Sequence, residues 1–247
     1  MGVNNKNTVL IHGFGFDHRT WYPLELAFEG HEVTYLALPG FGMDQQIEPY
    51  TIPELAKKYW DHLSEAGVDQ VHLVGHSMGG YVCIEMMASQ PSRVLSLALI
   101  HSHVFADSPE KKISRTETAD HIRANGASGF VNKFIPSLFA DAKKSEGVIK
   151  QLIERTLQYD SLAWVYGLLA MRDRLDHSEH LTAAQFPVLL LMGEADKAVP
   201  VDLASKQALL AGTTSLHVYP DTGHMGMYEN TQTLIADLVR FYEAFSE

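Results

Sequence analysis

Short apolar runs alternate with amphipathic segments along both ends of the chain. Such runs, rich in Val, Ile, Leu and Thr and bounded by turn residues, are typical of buried strands. We therefore predict six strands, over 8–11, 32–38, 71–74, 94–100, 188–192 and 216–219. Helical spacing predicts helices over 20–29, 51–66, 81–90, 202–211 and 231–245. Threonine is a favoured N-cap, and Thr20 and Thr51 are the predicted caps of the first two helices.

The alternation stops in the middle of the chain, between residues 105 and 184. Only helical periodicity is visible there, near 114–125, 128–140, 146–158 and 161–173. Strand–helix alternation on either side predicts an α/β fold with a mostly parallel sheet of about six strands flanked by helices. We assign residues 1–104 and 185–247 to this core and residues 105–184 to an inserted helical unit. The functional site is expected at the carboxyl ends of the strands.

The distribution of charge agrees with this division. The 247-residue chain has a formal net charge of −11. Residues 105–182 contain eleven acidic and eleven basic side chains, so the whole excess of negative charge lies outside them. A balanced charge between two negatively charged flanks is expected for an inserted unit, and it is equally expected for exposed helices of mixed charge.

Composition excludes several classes of function. The hydrophobic share of 46% and charged share of 20% are ordinary for a globular protein. No apolar run reaches the ~18 residues of a membrane helix, and the first residues lack the apolar region of a signal peptide. A single cysteine, Cys83, suits a reducing compartment. The negative net charge argues against nucleic acid and anionic membranes. We expect a cytoplasmic protein with neither as a partner, and the sequence does not predict its oligomeric state.

Residues 75–80 read Gly-His-Ser-Met-Gly-Gly and stand between a predicted strand and a predicted helix. A strand, a Gly-x-Ser-x-Gly turn and a helix form the context of a nucleophile elbow. The serine there adopts a strained backbone, and the glycines allow strand and helix to approach closely. Ser77 is therefore a candidate nucleophile, and the alternative interpretation is a purely structural turn.

A serine hydroxyl needs a base to remove its proton, and that base needs a third group to orient it. The chain has thirteen histidines, so position decides which are candidates. Three follow predicted strands: His12, His101 and His224. Among the acids, Asp196 follows the fifth strand, and Asp221 is a rival close to His224.

With these motifs the sequence resembles the α/β-hydrolase superfamily, in particular its small capped serine esterases. Four motifs occur in the order typical of that superfamily: His12-Gly13-Phe14-Gly15, residues 75–80, Gly193-x-x-Asp196-x-x-x-Pro200, and Gly223-His224. The resemblance covers essentially the whole chain. It departs from common members in having no room for two strands before Thr8, and in carrying Ala37-Leu38-Pro39-Gly40 where Asp-x-Pro-Gly is frequent.

The resemblance implies a nucleophile, Ser77, a general base, His224, and an orienting acid, Asp196. It also implies an oxyanion hole made by the backbone N–H groups of Phe14 and Met78, and a helical cap formed by residues 105–184. The substrate-binding candidates are Trp164, Val199 and Met225. No metal or cofactor is expected, because no cluster of ligand side chains has zinc spacing.

The expected activity is hydrolysis of a small-molecule carboxylic ester through an acyl-enzyme. Three alternatives remain open: a carbon–carbon bond hydrolase of diketones, a cofactor-free perhydrolase, and a ligand receptor that kept the hydrolase fold. Met225 after the histidine is unlike the Trp typical of carbon–carbon hydrolases. Serine at position 77 is unlike the Asp of epoxide hydrolases and dehalogenases.

Overall fold

A single six-stranded sheet forms the centre of the computed structural model, which describes residues 7–212 and 214–244. Every neighbouring pair of strands is parallel, and their order in the sheet is β2-β1-β3-β4-β5-β6. The strands are β1 (Asn7–Ile11), β2 (Glu32–Leu36), β3 (Val71–His76), β4 (Val94–Ile100), β5 (Val188–Gly193) and β6 (Thr214–Tyr219). The predicted α/β fold with six parallel strands is confirmed. The strand order reverses between β1 and β3, which opens a crevice beyond their carboxyl ends.

Helices cover the sheet and fill the long connection between β4 and β5. The α-helices are α1 (Ile52–Glu65), α2 (Met78–Ser89), α3 (Pro109–Asn125), α4 (Ser128–Ser137), α5 (Glu146–Thr156), α6 (Ser161–Arg172), α7 (Ser178–Thr182), α8 (Val201–Ala208), α9 (Gly226–Glu229) and α10 (Thr231–Glu243). Two 3₁₀ helices span His18–Phe28 and Pro91–Arg93. Helices α3–α7, between β4 and β5, are the inserted helices. Among the described residues, none of the helices combines the length and apolarity that crossing a membrane requires.

The predicted start of α1 is confirmed and has a clear physical basis. Thr51 Oγ1 accepts from the Glu54 N–H at 3.3 Å, and the Glu54 carboxylate accepts from the Thr51 N–H at 2.9 Å. This reciprocal capping box satisfies two helix-terminal donors at once. Pro53 stands in the first turn, where its missing N–H costs nothing.

The first helix differs from its prediction. It is a 3₁₀ helix over His18–Phe28, capped by Asp17, whose carboxylate accepts from the Arg19 N–H at 2.9 Å. Thr20, the predicted cap, is buried inside this helix. Pro23 also lies inside it, and a proline there removes a backbone donor that a continuous α-helix would use.

Smaller differences concern the ends of elements. Strand β2 ends at Leu36, because the Leu38 N–H donates to the His12 imidazole instead of to a strand. Helix α3 begins at Pro109 behind a Ser108 cap, five residues before its predicted start. The short helices α7 and α9 were missed because four or five residues show no periodicity. The predicted end of the last helix at 245 lies outside the described residues.

One continuous apolar core joins the sheet to the inserted helices. Strand β5 is buried at every position, as expected for a parallel strand covered on both faces. Phe14, in the loop after β1, packs edge-on against Phe134 of α4 and Trp164 of α6. The inserted helices therefore contact the carboxyl ends of the strands, where the candidate site lies.

Candidate active site

Ser77 occupies a strained turn between β3 and α2. Its φ of 51° and ψ of −117° lie in a region that residues with a side chain rarely adopt. Hydrogen bonds to the Ser77 backbone hold it there. The Ser77 N–H donates to Ile100 O at 3.0 Å, and Ser77 O accepts from the Gly80 N–H and the Ser102 hydroxyl, both at 2.9 Å. The end of β4 and the first turn of α2 thus hold the strained backbone of Ser77 in place.

The glycines of this turn are required by close backbone contact. A Cβ on Gly79 would lie 2.0 Å from Ile11 O and 2.6 Å from His12 O. A Cβ on Gly75 would lie 2.4 Å from the Cα of Gly80. Helix α2 can therefore start against β1 only because side chains are absent at these positions.

Replacing Gly79 with alanine should lower the free energy of unfolding by about 3 kcal/mol or more, because α2 would have to move away from β1. Urea unfolding followed by tryptophan fluorescence measures this change. Gly147→Ala in α5 is the matched control. A Cβ there meets nothing within 4 Å, so this variant should be as stable as the original or more stable by up to about 1 kcal/mol. Equal stability of both variants would contradict the predicted clash.

His224 and Asp196 form a buried pair beside the serine. His224 Nδ1 lies 2.7 Å from Asp196 Oδ2, and neither side chain is more than slightly exposed. The other carboxylate oxygen, Oδ1, accepts from the N–H groups of Ala198 and Val199 at 2.8 and 2.9 Å. With Nδ1 donating to the carboxylate, His224 has Nε2 free as a base. Ser77 and His224 line the same cavity.

A second imidazole bonds the same carboxylate oxygen. His101 Nδ1 lies 3.1 Å from Asp196 Oδ2, and the Gly226 N–H donates to His101 Nε2 at 3.2 Å. The Gly193 N–H also approaches Nδ1, at 3.3 Å, but a neutral ring has only one acceptor nitrogen. The carboxylate of Asp196 can only accept, so the proton of the ring is on Nδ1, and Asp196 accepts four hydrogen bonds. The position of His101 after β4, beside β5, was visible in the sequence, but its contact with Asp196 was not.

Burial and these contacts set the charges of the site. Burial would raise the pKa of the Asp196 carboxyl, but the nearby His224 and the hydrogen bonds from both imidazoles hold that pKa far below its ordinary value. Burial lowers the pKa of the His101 imidazole, so this ring is neutral at neutral pH. Burial, together with the nearby His224, also holds the pKa of His76 well below its usual range. Asp196 is thus an anion with two neutral imidazoles, those of His101 and His76, nearby.

The remaining candidates for base and acid lie elsewhere. His12 bridges two loops, with Nδ1 3.0 Å from Gly13 O and Nε2 accepting from the Leu38 N–H at 3.1 Å. Burial lowers the His12 pKa to about 4. Asp221, the rival acid, is exposed at a turn with a φ of 51°. Neither residue is the partner of His224 in this structure.

The backbone donors predicted for an oxyanion hole flank the serine in two different elements. Met78 is the first residue of α2, so its N–H cannot bond within the helix. Phe14 stands in the loop after β1, and its ring lines the same cavity as Ser77. That loop is fixed from behind by Trp164, because a Cβ on Gly15 would lie 2.1 Å from the indole ring.

A cavity of about 190 Å³ opens over Ser77 and His224. Of the predicted substrate contacts, Val199 lines this cavity. Trp164 and Met225 are fully buried behind its wall and are not on its surface. Trp164 is placed there by the packing of α6 against the loop after β1, which helical spacing alone does not reveal. The apolar lining comes from the inserted helices and the loops around the serine: Phe14, Phe130, Phe134, Leu138, Leu168, Met171, Ala198 and Val199.

Three potential metal ligands meet at this site, which the sequence spacing did not predict. Within residues 7–212 and 214–244, His101, Asp196 and His224 are the one group whose ligand atoms lie close enough to hold an ion. A metal at this position would need the Nδ1 atom of His101 without its proton. The Gly226 N–H donates to Nε2, and Nδ1 faces the carboxylate of Asp196, which can only accept, so the proton stays on Nδ1. Hydrogen bonding therefore accounts for the cluster better than metal binding does.

The fold agrees with the comparisons to known proteins. Residues 8–238 match the family described as the Alpha/beta hydrolase family, and the chain belongs to this family. It is 30% identical over 254 residues to the pimeloyl-[acyl-carrier protein] methyl ester esterase of Pseudoalteromonas atlantica, covering 96% of this chain and 94% of that protein.

Two further similarities extend this picture. The chain is 25% identical to the 2-hydroxy-6-oxononadienedioate/2-hydroxy-6-oxononatrienedioate hydrolase of Burkholderia vietnamiensis, over 94% of this chain and 85% of that one. Among solved structures it is similar to a thermophilic esterase from Thermogutta terrifontis, described with malate bound. The TM-score is 0.91 at 25% identity, covering 98% of this chain and 90% of the esterase. The resemblance found in the sequence is thereby confirmed at the level of the family.

Proposed function

We propose that this protein is a serine hydrolase of small-molecule carboxylic esters, with Ser77, His224 and Asp196 as its catalytic triad. The observation that carries the proposal is the buried His224–Asp196 pair, 2.7 Å apart, at the cavity that also exposes the strained Ser77. The similarity to a methyl ester esterase supports the ester as the substrate class.

The chemistry follows from the positions of the proton donors and acceptors. Ser77 Oγ attacks the ester carbonyl carbon while His224 Nε2 takes its proton. Asp196 keeps the Nδ1–H tautomer in place and stabilises the imidazolium that forms. Because Asp196 stays ionised and receives four hydrogen bonds, it provides a fixed negative charge beside that cation.

Negative charge develops on the carbonyl oxygen during attack. We assign its stabilisation to the N–H groups of Phe14 and Met78, and one such donor is typically worth ~2.7–4 kcal/mol. The N-terminus of α2 adds the positive end of its helix dipole at the same place. His224 then returns the proton to the leaving alcohol, and a water activated by the same imidazole hydrolyses the acyl-enzyme.

The inserted helices act in this proposal as a cap that selects the substrate. Helices α3, α4 and α6 provide one wall each of the cavity, through residues such as Thr118, Phe130 and Leu168. Its volume of about 190 Å³ suits a small substrate. The boundaries of the cap, residues 105–184, and the cytoplasmic location of the protein are predictions.

A second candidate is cleavage of a carbon–carbon bond in a diketone by the same three residues. The similarity to the hydrolase of Burkholderia vietnamiensis favours it. The nucleophile would again attack a carbonyl carbon, but the leaving group would be a carbanion, which needs protonation at carbon instead of at oxygen.

Trapping and turnover together test the proposal. A fluorophosphonate should add once to the protein, and peptide mass spectrometry should find the adduct on Ser77. Turnover should then be measured on p-nitrophenyl esters from acetate to octanoate and on a vinylogous diketone. Ester hydrolysis that is lost after trapping supports the esterase. Diketone cleavage without ester hydrolysis supports the second candidate, and an adduct on another residue refutes both.

A further inference from the structure

The cavity over Ser77 has one polar wall, and α3 provides it. Two pairs of residues, each pair four apart and so on one helix face, line the cavity: Lys111 with Arg115, and Ser114 with Thr118. The remaining wall is mostly apolar, with Phe130 and Phe134 of α4 and Leu168 and Met171 of α6. The site thus separates a cationic side from an apolar one.

Arg115 is held in place by one carboxylate that it shares with a second arginine. Its Nε donates to Asp107 Oδ2, while Arg174 Nη1 donates to Asp107 Oδ1 at 2.6 Å. The exposed fractions of these side chains are 12% for Arg115, 5% for Asp107 and 4% for Arg174. Two guanidinium groups therefore share one buried anion, which leaves a positive charge unbalanced.

Arg115 also keeps a donor that the protein does not use. Its Nη1 approaches Met171 Sδ at 3.4 Å, but Nη2 has no acceptor within the part of the chain that the structure describes. Since Arg115 lines the cavity, this donor is available to a ligand there. A guanidinium fixed at Nε and open at Nη2 is a rigid donor for a carboxylate.

Lys111, one helical turn away, adds a second cation to the cavity lining and is exposed to solvent. Its ammonium group has no ion pair among residues 7–212 and 214–244. Burial and the nearby Arg115 lower the pKa of Lys111. Asp176, a further carboxylate near Asp107, accepts from the N–H groups of Ala106 and Ser178 and is exposed. Lys111 is exposed, so water solvates its charge in the absence of a ligand, and an anion in the cavity would meet two cations, Lys111 and Arg115, on one wall.

We propose that Lys111 and Arg115 form a subsite for a carboxylate on the substrate, so that the preferred substrates are esters bearing a free carboxylate, such as half-esters of dicarboxylic acids. The carboxylate binds between the two cations while its chain lies along the apolar wall and the ester carbonyl reaches Ser77. This inference takes the ester hydrolysis from the proposed function, but the carboxylate subsite can be tested separately from that reaction.

Matched pairs of esters test the subsite. The substrates are the monomethyl half-esters of straight-chain dicarboxylic acids, from succinate to azelate, and the methyl esters of fatty acids of the same lengths. At the best length we expect the half-ester to have the larger kcat/KM. Lys111→Met should lower kcat/KM for the half-ester by about ten- to a hundredfold, the range for loss of a charged hydrogen bond. The ratio of kcat/KM for the half-ester to kcat/KM for the neutral ester should fall by the same factor, and Lys111→Arg should retain the preference of the original chain for the half-ester.

Lys112→Met is the control, since Lys112 neighbours Lys111 on α3 but does not line the cavity. Hydrolysis of both ester types at equal rates, independent of Lys111, would overturn the subsite and leave the esterase intact. If the wild type hydrolyses neither, the proposed function fails, and calorimetry with Ser77→Ala decides about the subsite. Binding of the half-ester that Lys111→Met abolishes would support it, and absence of binding would overturn it.

Discussion

Replacing Ser77 with alanine should reduce kcat for ester hydrolysis by about four to six orders of magnitude. No other group takes over the attack, and what remains is the rate enhancement from the oxyanion donors and substrate binding, about 10³–10⁴ over water in other triad hydrolases. The fold should survive the change, because the contacts that hold the strained turn come from the Ser77 backbone. Steady-state kinetics measures the loss, and a thermal unfolding midpoint close to that of the original chain shows that the fold is intact.

Ser89→Ala is the matched control for this substitution. Ser89 ends the same helix, α2, and its hydroxyl donates only to Met86 O, at 3.1 Å. This variant should retain the original kcat. A Ser77→Ala protein with kcat within tenfold of the original would mean that another residue attacks the ester, and the proposed triad would then be wrong.

The sequence predicted the parts of this site that local patterns encode. A strand, a tight glycine turn and a helix specify where Ser77 lies, because only this order places a strained serine at the end of a sheet. Asp196 and His224 follow the last two strands of a parallel sheet, and the carboxyl ends of such strands share one edge. The family resemblance implies the roles that these residues have in the proposed triad. The first helix was predicted less well, since Pro23 and the Asp17 cap favour a 3₁₀ helix over the α-helix that the apolar spacing indicates.

Contacts made across the fold were beyond the reach of the sequence. Periodicity marks one face of α6 as apolar but does not say whether Trp164 meets a substrate or the loop after β1. The structure places its ring against Gly15 and Phe14. Likewise the inserted unit has balanced charge overall, yet α3 turns Lys111 and Arg115 toward the cavity. How helices pack on a sheet depends on side-chain shape over long sequence separations, which short windows do not contain.

Changing Asp196 to asparagine should lower kcat by about 10⁴ and also destabilise the fold. The carboxylate accepts four hydrogen bonds, two on each oxygen, whereas an amide has a single acceptor oxygen. If the amide N–H₂ faces the imidazoles, His224 must accept at Nδ1 and carry its proton on Nε2, where it cannot take the proton of Ser77. If it faces the backbone, the N–H groups of Ala198 and Val199 lose their acceptor, at about 1–3 kcal/mol each.

The two orientations can be distinguished by measuring rate and stability on the same variant. A large loss of kcat with little loss of stability indicates the wrong imidazole tautomer, and a large loss of stability indicates unpaired backbone donors. Asp202→Asn is the control, because Asp202 is exposed in the first turn of α8 and should change neither quantity appreciably. An Asp196→Asn protein with the original kcat would show that His224 does not need this carboxylate. The second imidazole on Asp196 Oδ2 would then have only a structural role, since its link to the reaction runs through that oxygen.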